Sequence, residues 1–273
     1  MGKRILITGC SSGIGRALAV ELTARGHEVI ATARRLEALA DLDVTTRLQL
    51  DVTDEASVAD AVAAAGPVDI LVNNAGVGFW GPVETASGAE VQALFETNVF
   101  GPLRVLRALL PGMRARGAGA IVQISSAAAQ RSNALLGHYA ATKAALEAHS
   151  LALRIELAPF GIKVTMVVLG AVETEFGHNR IQVTAPEYAD LAERFTKRIV
   201  ANRSAPTSAA AVAVTLADAI DAGDYPLRID ATPDAAVLIA QRRGLSDSEW
   251  ERSTLAALGA CGVGWIETDE TGE

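Results

Sequence analysis

Short apolar runs alternate with longer amphipathic stretches along most of the chain. Six runs rich in β-branched or aliphatic residues predict strands, at Arg4–Thr8, Glu28–Ala33, Arg47–Leu50, Val68–Val72, Ala120–Ile124 and Lys163–Val168. The stretches between them predict helices at Gly15–Arg25, Leu36–Asp41, Asp54–Ala64, Glu90–Arg116 and Tyr139–Ala158. Several strands are apolar at consecutive positions, which is typical of a parallel sheet covered by helices on both faces. The pattern therefore predicts an α/β fold in a single domain over residues 1–273.

The alternation becomes less regular after Val168. Residues 169–206 carry no strand signal but contain a polar helical stretch, Pro186–Ala201. Long irregular segments in compact domains are commonly functional, so we expect a substrate lid over about 169–206. A C-terminal helical extension is expected over about 231–273, with an acidic, frayed end. The elements predicted beyond the lid are a helix, a strand and one or two helices, over Thr207–Ala222, Pro226–Asp230 and Asp234–Leu258.

Composition excludes several classes of function. The 273 residues are half apolar and carry a net charge of −8, which argues against a nucleic-acid surface. No apolar run reaches the roughly 18 residues of a membrane span, so a soluble, cytoplasmic protein without membrane partners is expected. Two cysteines, Cys10 and Cys261, make no disulfide framework. No metal site is expected, because ligand spacing is absent around His27, His138, His149 and His178.

The first predicted strand runs directly into a glycine-rich turn that opens a helix. Glycines allow a sharp turn and the close approach of a phosphate, and the helix N-terminal amides then point at the anion. This context favours a dinucleotide site, although a helix-starting turn with a serine N-cap is the alternative. The residues expected to bind the cofactor here are Gly9, Ser11, Ser12, Gly13, Ile14 and Gly15.

The end of the second predicted strand bears on the choice of cofactor. An acid at this place binds the 2′-hydroxyl of NAD, but here the strand ends in Arg34 and Arg35. A guanidinium can pair with a 2′-phosphate, whereas a carboxylate would repel it. Arg34 therefore favours NADP(H), with NAD(H) possible. The alternative is that both arginines are solvated residues at a helix start.

Tyr139 and Lys143 are four residues apart on one predicted helix face. An ordinary phenol has a pKa of about 10, and a nearby ammonium lowers it; two units require about 2.7 kcal/mol. Tyr139 could then exchange a proton with an alcohol or carbonyl oxygen. Ser126 follows the strand Ala120–Ile124, at the sheet edge where ligands bind. Ser126 is therefore the expected donor to a substrate oxygen; Ser125 is the competing choice, and a turn role is the alternative.

Together these residues make the sequence resemble the short-chain dehydrogenase/reductase family. The resemblance runs from Arg4 to about Phe176 and implies a single Rossmann-type domain. It also implies a doubly wound, seven-stranded parallel sheet and hydride transfer to or from nicotinamide C4. The matching segments are Thr8–Gly15, Asp51–Val52, Asn73–Gly76, Asn98, Ser126 and Tyr139–Lys143.

The resemblance also implies a role for each catalytic residue. Tyr139 would be the general acid in reduction and the base in oxidation, and Ser126 would polarise the substrate oxygen. Lys143 would bind the nicotinamide ribose and lower the pKa of Tyr139. Asn98 would hold a water that links Lys143 to solvent, or else simply cap or kink a helix. Further cofactor contacts are implied for Asp51, Val52, Asn74, Ala75, Gly76, Val172 and Thr174.

Ordinary readings remain for some of these cofactor contacts. Asp51 is otherwise a strand-end acid, and Asn74–Gly76 is otherwise a simple turn. Leu169 replaces the proline that the family places before Gly170, so we expect a less rigid loop there.

A softer resemblance links the chain to the hydroxysteroid and retinol dehydrogenase branch. It rests on Cys10 in the glycine turn, on Gly78–Glu84 and on Pro226–Arg228. It implies a bulky apolar carbonyl or alcohol substrate. Large side chains in loops are otherwise usually local core. The candidate pocket walls are Phe79, Trp80, Leu135, Leu136, Phe176 and Phe195.

The predicted function is an NADP(H)-dependent ketoreductase or alcohol dehydrogenase that acts on a small molecule. Two alternatives remain: a lyase, dehydratase or epimerase that retains its cofactor, and a non-catalytic NADP-binding sensor. Small residues repeat along the predicted helix that carries Tyr139, and the resemblance implies that this helix and the preceding long one pair across a two-fold axis. A homodimer or homotetramer is therefore expected, although that helix could instead pack wholly within the monomer. The residues that repeat there are Ala140, Ala144, Ala148 and Ala152.

Overall fold

Seven parallel strands form the central sheet of the computed structural model, which describes residues 2–177, 179–201 and 206–258. His178, Cys261, positions 202–205 and the end of the predicted C-terminal extension lie outside the described residues. The strands are β1 Arg4–Ile7, β2 Glu28–Ala33, β3 Thr46–Gln49, β4 Ile70–Asn73, β5 Gly119–Ile124, β6 Ile162–Val168 and β7 Arg228–Asp230. The predicted seven-stranded parallel sheet is confirmed.

The strand order is β3-β2-β1-β4-β5-β6-β7, and every neighbouring pair is parallel. On β1, Ile5 pairs with Val29 on one side and with Ile70 on the other. From β1 the chain adds β2 and β3 toward one edge of the sheet. It then returns to the other side of β1 and adds β4 to β7 toward the opposite edge. A doubly wound sheet opens a crevice beyond the carboxyl ends of its strands at that point.

Nine helices longer than one turn lie among the described residues. They are α1 Gly13–Ala24, α2 Glu55–Ala65, α3 Gly88–Phe95, α4 Gly101–Arg116, α5 Gly137–Leu157, α6 Ala189–Ala201, α7 Ala209–Ala222, α8 Pro233–Arg243 and α9 Asp247–Ala257. The helix predicted over Leu36–Asp41 is only a 3₁₀ turn, Leu36–Leu39. Four residues are too few to close a stable α-helix on their own.

The long helix predicted over Glu90–Arg116 is interrupted by a π-helical turn at Glu96–Phe100. Pro102 lies in the first turn of α4 and has no N–H to donate to the carbonyl of Asn98. The backbone N–H of Gly101 binds the carbonyl of Glu96, five residues earlier. The wider turn follows from this proline, and Asn98 sits within it.

Two apolar cores flank the sheet. Side chains of β1 alternate between them, since Ile5 and Ile7 pack with α1 and α7 while Leu6 packs with α2 and α4. All three are fully buried. Burial on both faces explains why this strand is apolar at consecutive positions.

The segment predicted to lack strands contains two short pairings. Val172–Glu173 pairs with Thr207–Ser208, and Ile181–Gln182 pairs with Phe79–Trp80. Two-residue strands are too short to give a periodic signal, so the expectation was wrong here. The helix expected from Thr207 begins at Ala209 instead, where the Ser208 hydroxyl caps it by accepting from Ala211 N. Across the described residues, no helix is long and apolar enough to cross a membrane.

Candidate active site

A cleft of about 1410 Å³ opens at the carboxyl edge of the sheet. The turn after β1 forms one wall, the end of β5 and the start of α5 form another, and α8 closes a third side. Tyr139, Ser126 and Arg34 all line this one cavity. The predicted glycine turn, catalytic pair and cofactor-selecting arginine therefore share a single site.

The glycine turn can exist only with glycine at its key positions. Gly9 and Gly13 have φ angles of 78° and 58°, in the left-handed region that side chains disfavour. A Cβ on Gly15 would lie 2.4 Å from both the Gly9 carbonyl oxygen and Asn74 Nδ2. Asn74 Nδ2 donates to the carbonyls of Thr8 and Gly9, at 2.9 and 3.0 Å. Asn74 thus holds the turn from the neighbouring strand.

The first turn of α1 presents backbone amides to the cleft beside Ser11 and Ser12. Ser12 is the N-cap residue of α1, and within the described structure its side chain makes no capping hydrogen bond to the first amides of the helix. Free amides, a tight glycine backbone and no Cβ at Gly15 fit a bound pyrophosphate. The cleft residues are therefore suited to a dinucleotide.

The part of the cleft beyond β2 and β3, where the sequence predicts the adenine end of the cofactor, contains Arg34, Asp51 and Val52. Arg34 is exposed, so its guanidinium can reach a ligand. Asp51 Oδ1 accepts from Thr53 N and Thr53 Oγ1, at 2.9 and 2.8 Å, which fixes the carboxylate at the end of β3. Val52 is buried against α4 at Gly101. The walls nearer β4 are Asn74, Ala75 and Gly76.

Tyr139 and Ser126 both line the centre of the cleft, and their hydroxyl groups interact there. Burial raises the pKa of Tyr139 to about 12, and the hydrogen bond with Ser126 lowers it by less. The predicted lowering of the Tyr139 pKa by Lys143 was therefore wrong for this structure, because burial dominates and Ser126, not Lys143, is the group that opposes it. Ser125 faces away from this pair, since its Oγ donates to Glu147 Oε1 at 2.9 Å. The geometry separates Ser126 from its sequence competitor.

Lys143 lies deep in the cleft, with 6% of its surface exposed. Its Nζ donates to the carbonyl of Ile124 at 2.8 Å and lies 5.9 Å from the ring centroid of Tyr139. Burial lowers the pKa of Lys143 to about 8, and the charge of Glu147 acts in the opposite direction. Lys143 is thus held behind Tyr139.

Asn98 joins three elements behind the cleft. Its Oδ1 accepts from Val77 N at 2.9 Å, and its Nδ2 donates to Val77 O at 2.9 Å and to Thr142 Oγ1 at 3.2 Å. Both amide hydrogens are therefore used in binding protein atoms. Asn98 Oδ1 and Lys143 Nζ both come close to Gly76. The predicted water relay remains a prediction, while a structural role in joining α5 to the loop after β4 is evident.

The segment from Leu169 to Thr174 is held firmly although it lacks the expected proline. Gly170 N donates to Thr232 Oγ1 and Ala171 N donates to Asp234 Oδ2, both at 2.8 Å. A Cβ on Gly13 would lie 3.3 Å from Thr174 Cγ2, so Thr174 covers the glycine turn. These anchors, at the start of α8, replace the rigidity that proline would have given.

Residues 3–184 match the family model described as short chain dehydrogenase. The chain belongs to the short-chain dehydrogenase family.

Curated relatives include enzymes that act on different substrates. Human retinol dehydrogenase 8 is 42% identical over 68% of this chain and 64% of its own length. A short-chain dehydrogenase of Penicillium ochrochloron is 44% identical over 63% of this chain and 66% of its own. A 3-ketodihydrosphingosine reductase of Bacteroides thetaiotaomicron is 38% identical over 71% of this chain and 74% of its own. The matches to the first two cover less than two thirds of those relatives.

Solved structures of family members share this fold. A short-chain dehydrogenase from Streptomyces avermitilis superimposes with a TM-score of 0.79 at 41% identity, covering 94% of this chain and 99% of that one. A Burkholderia cenocepacia member in complex with NADP gives 0.76 at 27% identity, covering 93% and 98%. A Brucella melitensis 3-ketoacyl-(acyl-carrier-protein) reductase in complex with NADH gives 0.72 at 28%, covering 84% and 97%. Binding of NAD(P) is thus a family property, and both cofactors occur among these neighbours.

Only part of the predicted substrate pocket lines the cleft of this short-chain dehydrogenase. Leu136, Phe176 and Phe195 do so. Phe79 is 1% exposed and packs edge-on against His138, and Trp80 borders a separate cavity of about 330 Å³. Leu135 is buried in a small apolar cluster. Phe79, Trp80 and Leu135 were therefore wrong as cleft walls, because loop residues of this size also fill local core.

The sequence analysis missed several cleft residues. The omitted walls belong to the loop before α5, to residues near 179 and to α8, whose helical pattern carries no chemical motif. Asp234 is one that a signal could have revealed, since an acid in the first turn of a helix after Thr232-Pro233 is typical of an N-terminus. The missed residues are Arg131, Asn133, Asn179, Pro233, Asp234, Val237, Leu238 and Gln241.

Cys10 is fully buried. Burial raises the pKa of the Cys10 thiol to about 12, so it behaves as a small apolar side chain. In the part of the chain that the structure describes, no group of three or more metal-binding side chains comes together.

Proposed function

We propose that this short-chain dehydrogenase is an NADP(H)-dependent carbonyl reductase, which transfers a hydride to a ketone or aldehyde and operates reversibly as an alcohol dehydrogenase. The observation that carries the proposal is that Tyr139 and Ser126 lie together in the same cleft as the glycine turn, with Lys143 beside the tyrosine ring. The pair places a proton and a second donor where a carbonyl oxygen can bind.

The protonation state of Tyr139 suits it to act as the acid in carbonyl reduction near neutral pH. With its pKa raised to about 12, the phenol of Tyr139 keeps its proton and can donate it to an oxygen that gains negative charge. Ser126 donates a hydrogen bond to the same oxygen and steadies the charge. Bound NADPH would supply the hydride. Lys143 holds the end of β5 and contributes a positive charge behind the phenol.

NADP(H) is proposed over NAD(H) because of the residues at the end of β2. Arg34 and Arg35 both line the cleft, in a region where a 2′-phosphate would need a cation. Asp51, the nearby acid, is already engaged with Thr53 through Oδ1. Equal catalytic efficiency with NADH and NADPH would contradict this preference, and Arg34→Ala should selectively weaken NADPH binding.

A bulky, largely apolar substrate is proposed from the remaining walls of the cleft. Phe176 and Phe195 come from the segment predicted as a lid, and Leu136 comes from the loop before α5. Val237 and Leu238 add an apolar face from α8. The named activities of the retinol and sphingosine relatives support a long apolar substrate. We therefore retain the proposal that residues 169–206 act as a lid and that the C-terminal extension helps to shape the site.

The direct test is a panel of carbonyl compounds followed by NADPH absorbance. Apolar ketones, retinoids, steroids and polyketide-like carbonyls should be screened with NADPH and in parallel with NADH. Oxidation of NADPH with at least one apolar carbonyl is expected. Conversion of a substrate without net NADPH consumption would instead indicate a lyase, dehydratase or epimerase, and no conversion of any compound would contradict the proposal.

A homodimer or homotetramer is also proposed, from the outer face of α5. Ala144 and Ala148 are exposed there, and Leu151 and Ile155 continue the apolar surface with 40% and 76% of their areas exposed. Exposed apolar surface of this kind is commonly buried between subunits. Light scattering coupled to size exclusion should give a multiple of 28.4 kDa, and replacing Ile155 by Lys should shift it toward one subunit. A cytoplasmic location stays a prediction that cell fractionation can check.

A further inference from the structure

A buried acid lies one helical turn beyond Lys143 on α5. The side chain of Glu147 is only 7% exposed. Ser125 Oγ donates to its Oε1 at 2.9 Å, while Gln130 Nε2 and Arg228 Nη2 reach its Oε2 at 3.1 and 2.9 Å. A buried carboxylate is stable only when donors surround it in this way, so the site is built around a charge.

These contacts lead directly to the catalytic pair. Ser125, which binds Glu147, is the backbone neighbour of Ser126. The preceding residue, Ile124, offers its carbonyl to Lys143 Nζ at 2.8 Å. Lys143 and Glu147 thus hold two consecutive residues at the end of β5, immediately before the serine that contacts Tyr139.

The same carboxylate acts on the charge of Lys143. Burial lowers the pKa of Lys143, and the negative charge of Glu147 is the effect that opposes burial. Other titratable or charged groups near this end of the cleft include Tyr139 on the same helix and Arg228 on β7. Arg131 and Asp234 belong to the cleft walls. Arg243 acts through Gln130, whose Oε1 accepts from its Nη2 at 2.9 Å.

We propose that Glu147 is a positioning residue for the reaction: through Ser125 it fixes Ser126, and its negative charge keeps the ammonium of Lys143 protonated. This inference rests on the proposed function for its effect on turnover. Its effect on Lys143 does not depend on any substrate. A purely structural ion pair with Arg228 would stabilise the fold without altering either catalytic residue.

The first test measures Lys143 directly. The chain has four lysines, Lys3, Lys143, Lys163 and Lys197, so a protein labelled with [13Cε]lysine gives few NMR signals. Comparison with the K143R variant assigns the signal of Lys143. In E147Q, which keeps the side-chain shape, the pKa of Lys143 should fall by about one unit, the size expected for one nearby opposite charge. E147D, which keeps the charge, should restore most of that shift.

Ser125→Ala is the matched control because it removes one contact to Glu147 and leaves the charge. The pKa of Lys143 should stay within about 0.3 unit of the parent value in S125A. A folded E147Q protein whose Lys143 titrates like the parent would overturn the proposal. If E147Q does not fold, E147Q/R228Q removes both charges of the pair and is compared with R228Q. No fall in the pKa of Lys143 between those two variants would likewise overturn it.

Turnover gives the second readout. In E147Q, kcat for carbonyl reduction should fall about tenfold with a smaller change in KM, and the alkaline limb of the pH profile should move down by about one unit. S125A should lower kcat without moving that limb. If the parent protein reduces no carbonyl compound, the proposed function fails, whereas the NMR titration still decides the role of Glu147.

Discussion

Replacing Gly15 by alanine tests whether the turn after β1 is a dinucleotide cradle. The added Cβ would lie 2.4 Å from the Gly9 carbonyl oxygen, a backbone atom that cannot rotate away. It would also lie 2.4 Å from Asn74 Nδ2, which binds the carbonyls of Thr8 and Gly9. Since real Cβ contacts do not occur below about 3.0 Å, the turn itself must shift.

Two opposing effects set the size of the stability change. Alanine gains about 1 kcal/mol over glycine inside a helix such as α1. Overpacking at a buried contact costs about 1–3 kcal/mol, and here the contact is with backbone. The difference is a fall in the free energy of unfolding of at most about 2 kcal/mol, equivalent to at most about 8 °C in Tm for a chain of this size.

Dinucleotide binding should also weaken. Displacing the turn would move the amides of Ser12 and Gly13 away from the proposed phosphate position, so Kd for NADPH should rise at least about tenfold, or 1.4 kcal/mol. Calorimetry measures the binding, and thermal unfolding measures the stability. Gly88→Ala is the matched control, because nothing lies within 4 Å of its added Cβ at the start of α3. A G15A protein that binds NADPH as tightly as G88A does would contradict the claim that the turn after β1 binds the dinucleotide.

Three further predictions concern single side chains. The pKa of Lys143 is lowered from 10.5 to about 8 by burial, so the folded state binds fewer protons than the unfolded state between those values and stability should rise with pH there. The K143M variant has no titrating group at this position. Chemical denaturation should therefore show that the free energy of unfolding of the parent rises by about 2 kcal/mol relative to that of K143M between pH 8 and 10. An equal pH dependence of the free energy of unfolding in the two proteins would contradict this prediction. Asp234→Ala should lower the free energy of unfolding, measured in urea, by about 1–2 kcal/mol, because Ala171 N loses its charged acceptor. The control Asp230→Ala, at an exposed residue, should not lower it. Equal losses in the two variants would contradict the role of Asp234 in holding Ala171. In a C261S background, Cys10 should not react with a thiol reagent at pH 8 until the protein is unfolded, and rapid labelling of the folded protein would disprove its burial.

Most of the sheet was predictable because parallel strands that are buried on both faces appear in the sequence as short runs of apolar residues. β1 and β2 are apolar at consecutive positions and match their predicted bounds closely. The short strands Val172–Glu173 and Ile181–Gln182 were not predictable in this way, since two residues are too few to show a pattern of apolar positions. The π-helical turn at Glu96–Phe100 was also hidden, as it depends on the missing N–H of one proline within a helical pattern.

The candidate site was predictable where chemistry depends on spacing and hidden where it depends on distant contacts. The glycine turn and the pair of Tyr139 and Lys143 are local patterns, and the structure places all of them in one cleft. The hydrogen bond between Ala171 and Asp234 links residues 63 positions apart in the sequence, and the one between Arg228 and Glu147 links residues 81 positions apart. Only the folded topology brings such partners together.

Turnover by the Tyr139→Phe variant tests the central claim most directly. Phenylalanine keeps the ring that packs against Phe176, at 5.9 Å between centroids, and removes only the hydroxyl that interacts with Ser126. The account predicts that kcat for carbonyl reduction falls by about 10² to 10⁴, while calorimetry shows NADPH binding within about twofold of the parent. A variant that binds NADPH normally and still reduces the carbonyl at a rate near that of the parent would contradict the account.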